Sequence, residues 1–431
     1  MSTILASRPA IGSPAPPATQ AAPVTRGRRD GTVDIARAWC LVVVVALHAL
    51  MVGVSVSATG PVLANALESW AWFAPVSWLV QIMPLFVVLG GFSSHTQWSR
   101  MRSRGVRPAD YVAQRMHRLL RPAAVAVSAV VVALAALTVA GVPGGLVATA
   151  GFRLSQPLWF LGVYILCSAF VPLLDVAHRR APVLAVIGLV AAVIAVDVVR
   201  SATGVTAIGF ANLLFVWVLI QQLGFWLADG TVGRLGRRAL VGLATLALAT
   251  LFVLAATGVY SFDMLANLNP PTFALVLLGV AQLALFQLAR PALGRLQGVR
   301  AVSAAVGAIN ARAMTVYLWH MLVLIALAGA ILLSGMRLPV PLSGDWWLTR
   351  PLWLLAVGAG VAAVVALAGR VELGRPRESA GSGTGGAFAP FAAAAIGAAG
   401  VLLLLVTGLS LAGGILGVAL ITGALKILPR A

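Results

Sequence analysis

Apolar residues fall along the chain in long unbroken blocks separated by short polar joints. Ten blocks cover roughly residues 34–56, 74–94, 122–141, 157–174, 182–200, 206–228, 239–258, 271–289, 313–334 and 350–369. Each approaches the ~20 residues that carry a helix across a bilayer, so the pattern predicts an all-α fold, a polytopic transmembrane bundle with a ten-helix core. A further apolar stretch, Phe388 to Leu428, follows the polar joint GRPRESAGSGTGG and is long enough for one or two C-terminal transmembrane helices. Its Gly413-Gly414 pair permits a break without requiring one.

The first residues, Met1 to Arg29, are rich in Pro, Ala and Ser and lack the apolar core of a secretory signal. The expected organisation is a disordered cytoplasmic tail (1–29), a ten-helix membrane domain (30–370), a Gly/Ser-rich linker (371–387) and a C-terminal membrane segment (388–431). No repeat of fixed period is visible, nor a polar stretch long enough to fold as a soluble domain.

Composition agrees with this reading: 61% of residues are hydrophobic and 10% charged, and the mean hydropathy is +1.00. The net charge of +19 could suggest nucleic acid as a partner, but the basic residues sit in short clusters between the apolar blocks. That spacing describes the edges of membrane spans, and no nucleic-acid partner is expected. Twenty-four basic residues fall on the side of the N-terminus and four on the other, which predicts a multi-pass plasma-membrane protein with a cytoplasmic N-terminus. Cys40 and Cys167 both lie within apolar blocks, as small core residues do.

The chemistry-bearing positions are few. Arg37 and His48 are eleven residues apart in the first block, which brings them to within about 20° of one helix face and about 16 Å apart along it. An ionisable side chain in the hydrocarbon layer is a functional candidate. Asp34, three residues before Arg37, is placed to hold its guanidinium. Arg115, Arg118 and Arg121 recur at every third residue in DYVAQRMHRLLRP, and suit either a phosphate-bearing ligand or anionic lipid. Gly90 and Gly91 in PLFVVLGGFSSH suit close helix packing. Trp159 and Tyr164 would be interface anchors, while Asn267, Asn269 and Thr272 in NLNPPTFAL could line a polar entry. Tyr317 and His320 sit one turn apart inside the ninth block. Asp197 is the one carboxylate well inside a block, which argues against an ion pump built on acids. No zinc pattern, phosphate loop, nucleophile elbow or dinucleotide fingerprint occurs, and no metal is expected.

In combination these residues resemble the acyltransferase 3 family of bacterial membrane proteins. The Arg37-x10-His48 spacing is the most specific element. Arg115-x-x-Arg118 leading to Arg121-Pro122, LWFL at Leu158–Leu161 and YLWH at Tyr317–His320 follow in order, and NPPTFAL is similar to a stretch of actinobacterial members. Gly90-Gly91-Phe92 stands where many members carry Ser-Gly-Phe. The resemblance implies O-acylation of an extracytoplasmic glycan or glycolipid by acyl-CoA, with acetyl-CoA the expected donor. It implies His48 as general base or transient acyl carrier and Arg37 as the group that orients the donor or offsets charge on it. Arg115, Arg118 and Arg121 would hold the CoA phosphates, and Asp34, Tyr317, His320, Trp159 and Asn269 would line the substrate cavity. The alternative is a transporter or flippase for a lipid-linked sugar or small molecule, which the Arg37/His48 pair and the scarcity of acidic residues disfavour.

Overall fold

The computed structural model describes residues 30–57, 60–336, 339–372, 386 and 388–429. The expected tail (1–29) and most of the expected linker lie outside them. The chain builds α1 (Gly31–Met51), the antiparallel strands β1 (Val52–Ser57) and β2 (Gly60–Asn65), α2 (Phe73–Val80), α3 (Met83–Ser103), α4 (Pro108–Val139), α5 (Gly144–Ser155), α6 (Leu158–Arg180) and α7 (Pro182–Thr203). It continues with α8 (Asn212–Ala228), α9 (Arg237–Ala256), α10 (Phe273–Leu296), α11 (Arg300–Ala311), α12 (Ala313–Leu333), α13 (Gly344–Glu372), α14 (Ala389–Thr407) and α15 (Leu411–Ile427). Eleven helical segments among the described residues are long and apolar enough to cross a membrane, and α15 is a shorter apolar helix besides. The protein is an all-α polytopic bundle with one small hairpin.

Two expected helices differ in shape. The first ends at Met51 rather than near residue 56, because VGVSVS alternates β-branched and small residues and pairs with β2. The second divides at Gln81-Ile82, just before Pro84. Gln282 of α10 repairs that break: its Oε1 accepts from the Leu85 N–H at 2.9 Å and its Nε2 donates to the Gln81 carbonyl at 2.8 Å. Both bonds are buried, where an unpaired backbone group would cost several kcal/mol in lipid.

The bundle is tightest between α3 and α8. A Cβ on Gly91 would meet the Gln221 carbonyl, and one on Gly224 would meet the Val88 carbonyl. The two backbones therefore touch, as the small-residue stretch around Gly90 and Gly91 leads one to expect.

The C-terminal apolar stretch is two helices. Its break lies at Gly408, whose φ of 66° and ψ of 171° are open to glycine alone, and not at Gly413-Gly414. Ser410 then caps α15 by accepting from the Gly413 N–H. The turn rests on α5, where the Leu409 N–H donates to the Gly151 carbonyl. At the other end the Pro429 carbonyl lies 2.9 Å from His117 Nε2 near the start of α4. The stretch thus runs out along α4 and α6 and returns to the face it left.

Candidate active site

His48 lies in the last turn of α1, yet it is well inside the helical layer. Its ring faces His320, the eighth residue of α12, and the neighbouring Ala49 carbonyl accepts from Trp353 Nε1 at 2.8 Å, ten residues into α13. At about 1.5 Å per residue these neighbours put the end of α1 roughly 10 to 15 Å from either helix start. The chain places an imidazole pair at that depth by stopping α1 short.

His48 Nδ1 and His320 Nε2 are 3.1 Å apart, and the ring centroids are separated by 5.1 Å. His320 Nδ1 lies 2.7 Å from the Tyr317 carbonyl. A carbonyl only accepts, so His320 carries its proton on Nδ1, and a neutral His320 presents a lone pair at Nε2. His48 must then donate from Nδ1, and its own Nε2 keeps a free lone pair. His320 is completely buried, whereas His48 is only partly so. The accessible basic nitrogen of the pair belongs to His48.

Tyr317 braces this arrangement. Its hydroxyl donates to the Pro157 carbonyl at 2.7 Å and accepts from the Leu161 N–H at 3.1 Å. The Pro157 carbonyl is the i−4 acceptor that the Leu161 N–H would take in a regular helix, and the Tyr317 hydroxyl stands between the two and satisfies both. The phenol fixes α12 against the start of α6, and Phe160 meets its ring edge-on at 5.3 Å.

Arg37 lies on α1 toward the arginine-rich face. Its Nε is buried without a hydrogen-bond partner, and it forms no ion pair among the described residues. Among the described residues Asp34 makes no ion pair with Arg37, and the start of α1 is held by other groups. Asp30 caps α1 from Thr32 and Val33 and pairs with Arg290, and the Asp34 carbonyl accepts from Asn310 at 2.7 Å.

The three arginines of α4 separate. Arg115 turns inward, its Nε donating to Tyr111 Oη at 3.3 Å, while Arg118 and Arg121 are exposed. A step of three residues rotates each by about 60° from the last, so the set fans out rather than sharing one direction. Trp159 packs against Trp217 of α8 with ring centroids 5.3 Å apart. Asn269 is exposed on the loop before α10. Its neighbours Asn267 and Thr272 turn inward to bond the loop to itself instead of lining an entry.

Two constellations escaped the sequence reading. Asp197 Oδ2 accepts from Tyr260 Oη at 2.8 Å and from the Phe273 N–H at 2.9 Å, and its Oδ1 from Asn212 at 3.0 Å. This carboxylate ties α7, α8 and the start of α10 together, and burial together with its charge pushes the Tyr260 phenol up. The second joins His95, Asp175, His178 and Asp229 at the arginine-rich ends of α3, α6 and α8. Only the DVAHRR spacing, which puts Asp175, His178 and Arg179 on one helix face, signals it in the sequence. Among the described residues no group of acidic, His or Cys side chains is arranged to hold a metal.

Neither the curated proteins nor the solved structures include a match to this chain. Residues 30–369 do match the acyltransferase domain of the acyltransferase 3 family. That match covers well over half of the chain and takes in α1 with its histidine, α12 and every helix between. The chain therefore belongs to the acyltransferase 3 family and is a multi-pass membrane acyltransferase rather than a transporter.

Proposed function

We propose that the protein moves an acyl group, acetyl being the expected one, from cytoplasmic acyl-CoA to a hydroxyl of an extracytoplasmic glycan, glycolipid or related acceptor. In this reading it sits in the plasma membrane with its N-terminus in the cytoplasm. The observation that carries the reading is the His48–His320 hydrogen bond inside the helical layer, which leaves an accessible lone pair on His48 Nε2.

In the proposed step His48 Nε2 takes the acceptor hydroxyl proton as the oxygen attacks the thioester carbon. The tetrahedral intermediate collapses, the carbon–sulfur bond breaks, and His48 returns the proton to the departing thiolate. Such general base catalysis is typically worth about 10²- to 10⁴-fold. The imidazolium formed in passing is held by its Nδ1–H bond to His320. Arg37, roughly 16 Å back along α1, is too distant to touch the same carbonyl. It suits the anionic part of the donor instead, which would supply the counter-charge it lacks. The inward Arg115 is a second group of this kind.

A membrane assay with radiolabelled acetyl-CoA and extracted surface glycan tests the reading. His48→Ala should abolish transfer while the protein remains folded. Full transfer by that variant would remove His48 from the chemistry.

A further inference from the structure

A cavity of about 290 Å³ lies between the ends of α3, α6 and α8 and the start of α7, and it shares no residue with the His48–His320 pair. Its foundation is Asp175, which is fully buried. The Oδ2 of this carboxylate accepts from Trp98 Nε1 at 3.2 Å, Arg102 Nη1 at 2.8 Å and Arg179 Nε at 3.1 Å. One oxygen thus holds two guanidiniums side by side. Each spends a single N–H on it and keeps others free, and the two side chains are 36% and 48% exposed at the cavity wall.

The remaining groups complete a donor-rich lining. Ser99 and Thr231 line the same space. His95 Nδ1 lies 3.5 Å from the other Asp175 oxygen, and neither atom has a hydrogen-bond partner. Trp226 also lines the cavity, and its Nε1–H is buried and unbonded. Asp229, the second carboxylate present, is engaged by His178 at 3.0 Å and by the Thr231 N–H at 2.8 Å. The wall itself holds Arg102 and Arg179 against Asp175 and Asp229, and the α3–α4, α6–α7 and α8–α9 junctions around it add seven arginines and one aspartate. The local field therefore favours an anion, and paired guanidinium forks match the oxygens of a phosphate.

We propose that this cavity binds a phosphate group, with Arg102 and Arg179 as the clamp and Asp175 as the positioning residue that sets them side by side. The phosphate would come either from a nucleotide, as in the donor, or from an anionic lipid headgroup. In the nucleotide case the inference deepens the proposed acyl transfer and rests on that reading; in the lipid case it goes beyond it, and neither case needs His48.

Binding is measured on the full chain in nanodiscs of zwitterionic lipid, with 3′,5′-ADP as the soluble probe, and by thermal stability in nanodiscs containing phosphatidylglycerol. A saturable response to either probe is expected, and which one responds identifies the source. Arg102→Gln and Arg179→Gln should each weaken it about tenfold or more, while His48→Ala leaves it intact. Asp175→Asn gives the sharpest test, because removing a negative charge would strengthen a merely electrostatic site, whereas here it should weaken binding by freeing the two guanidiniums. Absence of any saturable response overturns the proposal, and so does tighter or unchanged binding by Asp175→Asn. If that variant does not fold, unchanged affinity in both arginine variants overturns it instead.

Discussion

His48 donates from Nδ1 to Nε2 of His320 across 3.1 Å, joining two helices that are 272 residues apart in sequence. Because His320 is itself pinned to the Tyr317 carbonyl, the bond sets both the tautomer and the ring direction of His48. On the proposed mechanism His320 is a positioning residue. His320→Ala should lower kcat by about 100-fold with little change in the KM for acyl-CoA. His320→Gln, which keeps an acceptor, should recover part of the loss. Equal kcat in the wild type and His320→Ala would show that the bond is only structural.

Arg37 is a cation without a counter-charge among the described residues. Arg37 is half-buried with its Nε unpartnered, and such a charge costs stability, so Arg37→Gln should melt at the same temperature as the wild type or above it, even as acyl transfer falls. Arg37→Lys should keep the charge and lose the forked geometry, which separates the two contributions in a donor titration. A lowered melting temperature for Arg37→Gln would mean that the guanidinium serves the fold.

The contact between α3 and α8 leaves no room for a methyl group. Gly91→Ala and Gly224→Ala each press a Cβ against a carbonyl of the opposite helix, and should cost about 1–3 kcal/mol each by overpacking. Gly188→Ala on α7, where a Cβ would meet nothing within 4 Å, is the control and should be neutral or slightly stabilising. Thermal unfolding in one detergent compares all three.

Asp229 titrates below the ordinary carboxylate value. Burial would raise it, but the hydrogen bonds from Thr231 and His178 outweigh that effect. A carboxyl depressed in the folded state contributes stability that is complete above its unfolded value of about 4 and is lost as pH falls through the folded value. Asp229→Asn should therefore melt below the wild type at pH 7, with the gap closing below about pH 4. A gap that does not narrow at all as pH falls below about 4 would point to packing rather than charge.

Hydropathy blocks fix about how many helical segments cross the layer, because each must satisfy its own backbone bonds in an apolar medium. The sequence by itself therefore determined the all-α bundle, and the Arg37-x10-His48 spacing marked α1 and the family. It missed the early end of α1, because hydropathy does not distinguish a valine-rich strand from a continuing helix. The fanning of Arg115, Arg118 and Arg121 is implicit in their spacing, but which of them points inward depends on the neighbours of α4. Only the tertiary structure decided that His48 meets His320, that Arg37 has no acidic partner among the described residues, and that Asp175 holds Arg102 against Arg179. Those relationships join helices far apart in the chain, and they follow from which helix faces pack together rather than from any local pattern of residues.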